Sequence, residues 1–214
     1  MVGALFIVGA ALSTVIDLSV GPTIRDAPLA ASVVVFGRPH GAVDYLVPAR
    51  LGGHSLAVSM GVVSVLYAIV GGVYAVLWLL APVLAATLFI LVTWFHWGQG
   101  DVHALVTFVG VDHLHSRSLR AATCVVRGGR PMFVPLLACP NRYRSVVESW
   151  VGLFGTELSV PWLFAEQARL IGGSLFLGFT IVTLLAGYRA AGETRGWRVD
   201  AGETALLWVF FLAM

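Results

Sequence analysis

Apolar residues run along this chain in blocks too long for a soluble fold. Residues 3–22 form a first block interrupted only by Asp17, and residues 27–37 a shorter second one that runs into a polar cluster at 38–45. No charged residue occurs between Arg50 and Asp101. Since a membrane-crossing helix needs about 20 apolar residues, the stretch 51–100 is long enough for two. Gly71-Gly72 is the expected break between them, and Pro82 falls in the second. Residues 102–111 are apolar but short, which predicts that they continue the preceding helix or re-enter. Residues 112–130, with Arg117, Arg120, Arg127 and Arg130, are the most polar piece and are expected to form a cytoplasmic loop by the positive-inside rule. The three prolines within 131–140 predict a broken or re-entrant segment. Residues 150–170 read as amphipathic, 170–188 as a clean uncharged span and 192–204 as a polar loop. The final block, 205–214, is about half of a membrane-crossing helix. It is expected to be an interfacial anchor or the start of a helix that the chain does not complete.

Composition narrows this to one class. With 58% hydrophobic and 11% charged residues in 214, and a mean hydropathy of +0.90, the chain falls outside the soluble globular range. Backbone polar groups in lipid must be satisfied within the segment, so the expected fold is all-α: a polytopic helical bundle in the cell membrane. Residues 1–214 form a single membrane domain in this reading, incomplete at its C-terminal end. The net charge of +2 is small and dispersed, which gives no support for nucleic acid as a partner. Cys124 and Cys139 make neither a CxxC pair nor a disulfide framework. The first cation is Arg25, so the N-terminus lacks a basic signal-peptide region and the first span is expected to be retained. All 13 basic residues are arginine, with no lysine anywhere. A retinal Schiff base needs a lysine amine, so the chain is not an opsin.

Candidate chemistry sits in two polar clusters within the most apolar sequence. One is Arg38-Pro39-His40-Gly41-Ala42-Val43-Asp44-Tyr45, the other Trp94-Phe95-His96-Trp97-Gly98-Gln99-Gly100-Asp101. Ionisable groups at bilayer depth are expensive and mark functional positions. A lone histidine there reads first as a buried, hydrogen-bonded core residue. Two similar clusters on separate hydrophobic segments point to imidazoles that converge on one metal ion. Metal-bound histidines usually donate their second N–H to a nearby acceptor, and Asp44 and Asp101 are placed for that role. His96 is expected to end its helix, and Gly98 and Gly100 to admit close approach of backbone or ligand. His113 and His115 read as solvated residues on different faces of a helix, and His54 as a boundary residue. His103, two turns beyond His96, is a candidate for the same face. Trp94, Phe95 and Trp97 are either interfacial belt residues or walls of an apolar substrate pocket.

At these clusters the sequence resembles the Brp/Blh family of membrane-bound β-carotene 15,15′-dioxygenases, which supply retinal to microbial rhodopsins. Pro39-His40-Gly41-Ala42-Val43-Asp44 and Phe95-His96-Trp97-Gly98-Gln99-Gly100-Asp101 are similar to its two histidine signatures. Arg127-Gly128-Gly129-Arg130-Pro131 is a weaker third match. The resemblance implies an Fe(2+)-dependent enzyme in the lipid bilayer that cleaves the central double bond of β-carotene with O2 and passes retinal to an opsin. It also implies that His40 and His96 are two of the family's iron-binding histidines, while the motif carrying the other two is not in this chain. The remaining histidines are in no matching context. The competing class is a non-enzymatic polytopic protein, a transporter or carotenoid-binding subunit. An ion pathway would string carboxylates through the spans, yet Asp17 is the only one clearly within a span.

Overall fold

The computed structural model describes residues 44–53 and 55–212. His40, Asp17, His54 and the segments 3–22 and 27–37 lie outside the described residues. In chain order the helices are α1 (Leu46–Gly52), α2 (Leu56–Leu80), α3 (Pro82–Ala104) with a π-helical turn (Leu105–Val109), α4 (Arg117–Ala138), α5 (Pro140–Gly152), the short α6 (Pro161–Phe164), α7 (Glu166–Ala191) and α8 (Arg195–Leu212). The chain is an all-α membrane protein. Among the described residues, three segments are long and apolar enough to cross a bilayer: α2, α3 with its π turn, and α7. Two compact units meet within α2, at Ala75 and Val76. In the first, the Tyr67 hydroxyl donates to the Asp44 carboxylate and the Ser59 hydroxyl to the Tyr45 carbonyl, tying the start of α1 to α2.

Helix ends fall where local chemistry stops the backbone, and this corrects several expectations. Gly71-Gly72 does not break α2, which runs unbroken to Leu80. Each glycine costs a helix about 1 kcal/mol, whereas backbone groups stranded in lipid cost several kcal/mol each. The break comes instead at Ala81 (φ −148°, ψ 69°), which Pro82 forces out of the helical region. Nor does His96 end a helix. α3 continues to Ala104 and through the π turn, and stops at Gly110, whose φ of 67° needs a residue without a Cβ.

The proposed polar loop at 112–130 is mostly helix. Ser116 caps α4 by accepting the Leu119 N–H at 3.1 Å, and α4 then passes through Pro131 and Pro135 to Ala138. Of the three prolines expected to break the chain, Pro131 and Pro135 are therefore interior, in a helix that α3, α7 and α8 pack against, whereas Pro140 follows the break at Cys139 and starts α5. The residues at 192–204 were also expected to be a loop. Thr194 accepts the Trp197 N–H at 3.2 Å and starts α8 at Arg195. The stretch after α5, from Leu153 to Val160, is irregular and turns at Gly155 (φ 69°).

α4 is the centre of the second unit. Its crossing with α3 is close because glycines meet there: a Cβ on Gly98 would run into the Cys124 carbonyl, and one on Gly128 into the Trp94 carbonyl. Beside the crossing, Trp94 Nε1 donates to the Val125 carbonyl at 2.8 Å. The rings of Trp94, Phe133 and Phe176 fill the space toward α7, with centroids 5.5–6.0 Å apart.

Candidate functional site

His96 is exposed on α3, and helical spacing puts it in one column with Phe89 and Thr93. Gly98, on the opposite side, is buried against α4. His40 lies outside the described residues, and so does its convergence with His96. Asp44 accepts the Tyr67 hydroxyl in the first unit. His103 lies 3.5 Å from the Thr107 hydroxyl through Nδ1 and packs edge-on to Phe108. Among the described residues no three His, Cys, Asp or Glu side chains group as metal ligands.

Asp101, five residues beyond His96, is engaged by arginine. One of its oxygens accepts Arg127 Nη1 at 3.2 Å and lies 3.5 Å from Arg130 Nη2. Arg127 reaches further: Nε and Nη2 donate to Asp200 Oδ1 at 3.0 and 2.7 Å, and Nη2 also to Glu203 at 3.0 Å. Arg130 Nη1 donates to the Glu203 backbone carbonyl at 3.3 Å. The second Asp200 oxygen takes His113 Nε2 at 2.8 Å. Arg127, Arg130, Asp200 and His113 are all at most 4% exposed, so this is a buried ionic cluster joining α3, α4, α8 and the loop at 110–116. Asp101 and Glu203 form its wetter edge, at 38% and 50%.

The electrostatics follow from burial and partners. Burial alone would raise the Asp200 carboxyl, but the His113 hydrogen bond and the Arg127 charge outweigh it and hold the group below its ordinary value. Burial works against the Arg127 guanidinium too, and Asp200 more than offsets it. Arg130 has poorer partners: burial and the neighbouring Arg127 bring it down to about 10, so it stays cationic at neutral pH. Its Nε has no partner among the described residues.

Sequence reasoning singled out Asp101 but missed this cluster, because Arg127, Arg130, Asp200 and Glu203 were assigned to polar loops. His113 is neither helical nor solvated: it sits in the loop after the π turn, 2% exposed, against Gly187 and Asp200. A signal was present in the spacing. Arg127 and Arg130 are three apart, as are Asp200 and Glu203, so each pair shares one helical face if its segment is helix.

A second feature lies along α3 before His96. Two apolar cavities, of about 320 and 290 Å³, adjoin each other between α3, α4, α5 and α6 and share Ile90, Met132, Tyr143 and Val147. Trp94 forms part of one wall, so this member of the aromatic trio is a pocket wall and not a belt residue. Phe95 and Trp97 remain exposed, at 57% and 54%.

A family model described as beta-carotene 15,15′-dioxygenase matches residues 31–214. The chain is similar to "Probable beta-carotene 15,15′-dioxygenase Blh" of Halobacterium salinarum strain NRC-1, 48% identical over 206 residues, covering 96% of this chain and 60% of that protein. It is also similar to "Probable beta-carotene 15,15′-dioxygenase Brp" of Halobacterium salinarum strain R1, 29% identical over 181 residues, covering 84% of this chain and 49% of that one. The chain thus spans between half and three-fifths of the length of these relatives. No solved structure matches it.

Proposed function

Since the chain belongs to the beta-carotene 15,15′-dioxygenase family, we propose that it carries the substrate-binding half of a membrane enzyme that cleaves β-carotene with O2. The C15=C15′ double bond breaks, two C=O bonds form, and each retinal takes one oxygen atom of O2. The observation that carries this reading is the position of His96. It is an exposed imidazole three residues beyond Thr93 of the cavity wall, on a helix fixed by Trp94 on one side and Asp101 on the other. A wholly apolar substrate enters such a cleft from lipid, and no triad or carboxylate pair is required.

We propose iron as the metal, with His40 and His96 among its ligands; neutral imidazole suits it, and bound iron supplies the activation of O2. The described residues do not complete a ligand set for it. What this chain's own residues do is exclude water along α3 and hold the backbone that presents His96. The cell membrane is the proposed location, with retinal passing to an opsin.

The test is retinal formation in cells that accumulate β-carotene and express the gene carrying this segment. His96→Ala and His40→Ala are each expected to abolish retinal while membrane insertion persists, and to reduce the iron content of purified protein. Near-normal retinal from either variant removes that histidine from the proposal.

A further inference from the structure

The two apolar cavities have a length, and it matches half of a carotenoid. Along α3 they extend from Val83 to Trp94. Eleven residue steps at 1.5 Å make this about 17 Å. An extended β-carotene is about as long as a bilayer's hydrocarbon core is thick, about 30 Å, so its central bond lies about 15 Å from either ring end. The cavity in His96's column of α3 is walled by Phe89 and Thr93 and stops three residues short of it, and the one that runs from Val83 to Trp94 joins it at Ile90 from a neighbouring face of the helix. We infer that this cleft holds one half-chain and its terminal ring, so that the central double bond comes to lie beside His96.

This inference rests on the proposed carotenoid substrate and adds where one arm of it lies. The lining supports a flat polyene. Phe89 meets Trp150 edge to face at 5.4 Å, Trp94 stacks on Phe133 at 6.0 Å, and Tyr143 closes the shared region. Rigid aromatic walls suit a planar conjugated chain better than the many rotamers of a lipid acyl tail, whose ordering costs conformational entropy. The way in is beside Phe89 and Val146, each 44% exposed, so lateral entry from lipid needs no buried residue to move.

The test uses induced circular dichroism in the visible absorption band of β-carotene, an achiral molecule that gives such a signal only in a chiral site. With the chain in phosphatidylcholine vesicles, wild type is expected to give the signal. Val146→Trp and Thr93→Trp, which fill the cleft from α5 and α3, are expected to lose it while far-ultraviolet helicity is kept. Val182→Trp, on an exposed face of α7, and His96→Ala are expected to keep it. Retinyl acetate, one ring with one half-chain, is expected to displace it. Absence of the signal in wild type, its survival in both filled variants, or failure of retinyl acetate to compete would overturn the assignment and leave the cleft to lipid. The two readings separate cleanly. Retinal formation unaffected by the filled variants leaves the enzyme standing without this subsite. A signal lost in those variants, with no retinal from any form of the protein, leaves the subsite standing without the enzyme.

Discussion

Arg127→Ala is the sharpest test of the buried cluster, because this guanidinium makes four hydrogen bonds to three carboxylates. Its loss leaves Asp200 Oδ1 without either donor, on a side chain only 4% exposed. Breaking a buried pair by removing one member costs about 3–5 kcal/mol, since the other charge stays buried. The bonds to the half-exposed Asp101 and Glu203 add at most about 1 kcal/mol. The expected loss is therefore about 3–5 kcal/mol, or a hundredfold to a few thousandfold in the unfolding constant at about 1.4 kcal/mol per decade. Unfolding in mixed detergent micelles, titrated with dodecyl sulfate and followed by tryptophan fluorescence, measures it. The double variant Arg127→Leu with Asp200→Leu removes both charges and is expected to recover most of the loss, because no charge is left buried. A loss below about 1 kcal/mol for Arg127→Ala would refute the reasoning. So would a double variant whose cost equals the sum of the two singles.

Three further outcomes are expected. Gly98→Val puts carbon against the Cys124 carbonyl and is expected to cost at least about 1–3 kcal/mol, whereas Gly100→Ala, which meets open space, is expected to be neutral or to gain up to about 1 kcal/mol; equal unfolding midpoints for the two would dismiss the close crossing. Asp200 ionises below its unfolded value near 4, so its contribution is complete above about pH 4 and is lost as pH falls through the folded value. Unfolding free energy should fall in that acid range for wild type and change less for Asp200→Asn, and parallel curves would count against the role. Ser116→Ala is expected to cost about 1 kcal/mol and to speed amide exchange at Leu119, with unchanged exchange there showing that the cap contributes nothing.

The membrane class, the spans at α2, α3 and α7 and the family resemblance at the His96 segment were legible in the sequence because each rests on a local property. Apolar length does not depend on what a helix packs against, and the Trp94–Asp101 pattern is contiguous. Segment boundaries were read less well. Gly71-Gly72 and the Pro131/Pro135 pair are breakers in water, but in the apolar α2 and the packed α4 an unbroken helix outweighs them. The ionic cluster was hidden for a different reason. Arg127 and Asp200 are 73 residues apart, and charge in a polar stretch reads as solvent-facing until a partner of opposite sign is brought to it. Thr194 and Ser116 were available as helix starts, and reading them as caps would have turned both supposed loops into helices.

α3 answers to two requirements at once, and their boundary falls at His96. Before it, the helix lines an apolar cleft and is held by the Trp94–Val125 hydrogen bond; after it, Gly98 is pressed to α4 and Asp101 is tied to Arg127 and Arg130. Rotation of α3 by a single residue would turn its side chains by about 100°. That would break the tryptophan bond, drive a side chain into the Gly98 crossing and pull Asp101 from its arginines together. The imidazole's direction relative to the cleft is thus set by contacts on either side of it in sequence. A charged cluster at one end of an apolar helix therefore does more than cap it. It fixes the angle at which the exposed His96 imidazole leaves α3, so that its orientation comes from the protein backbone.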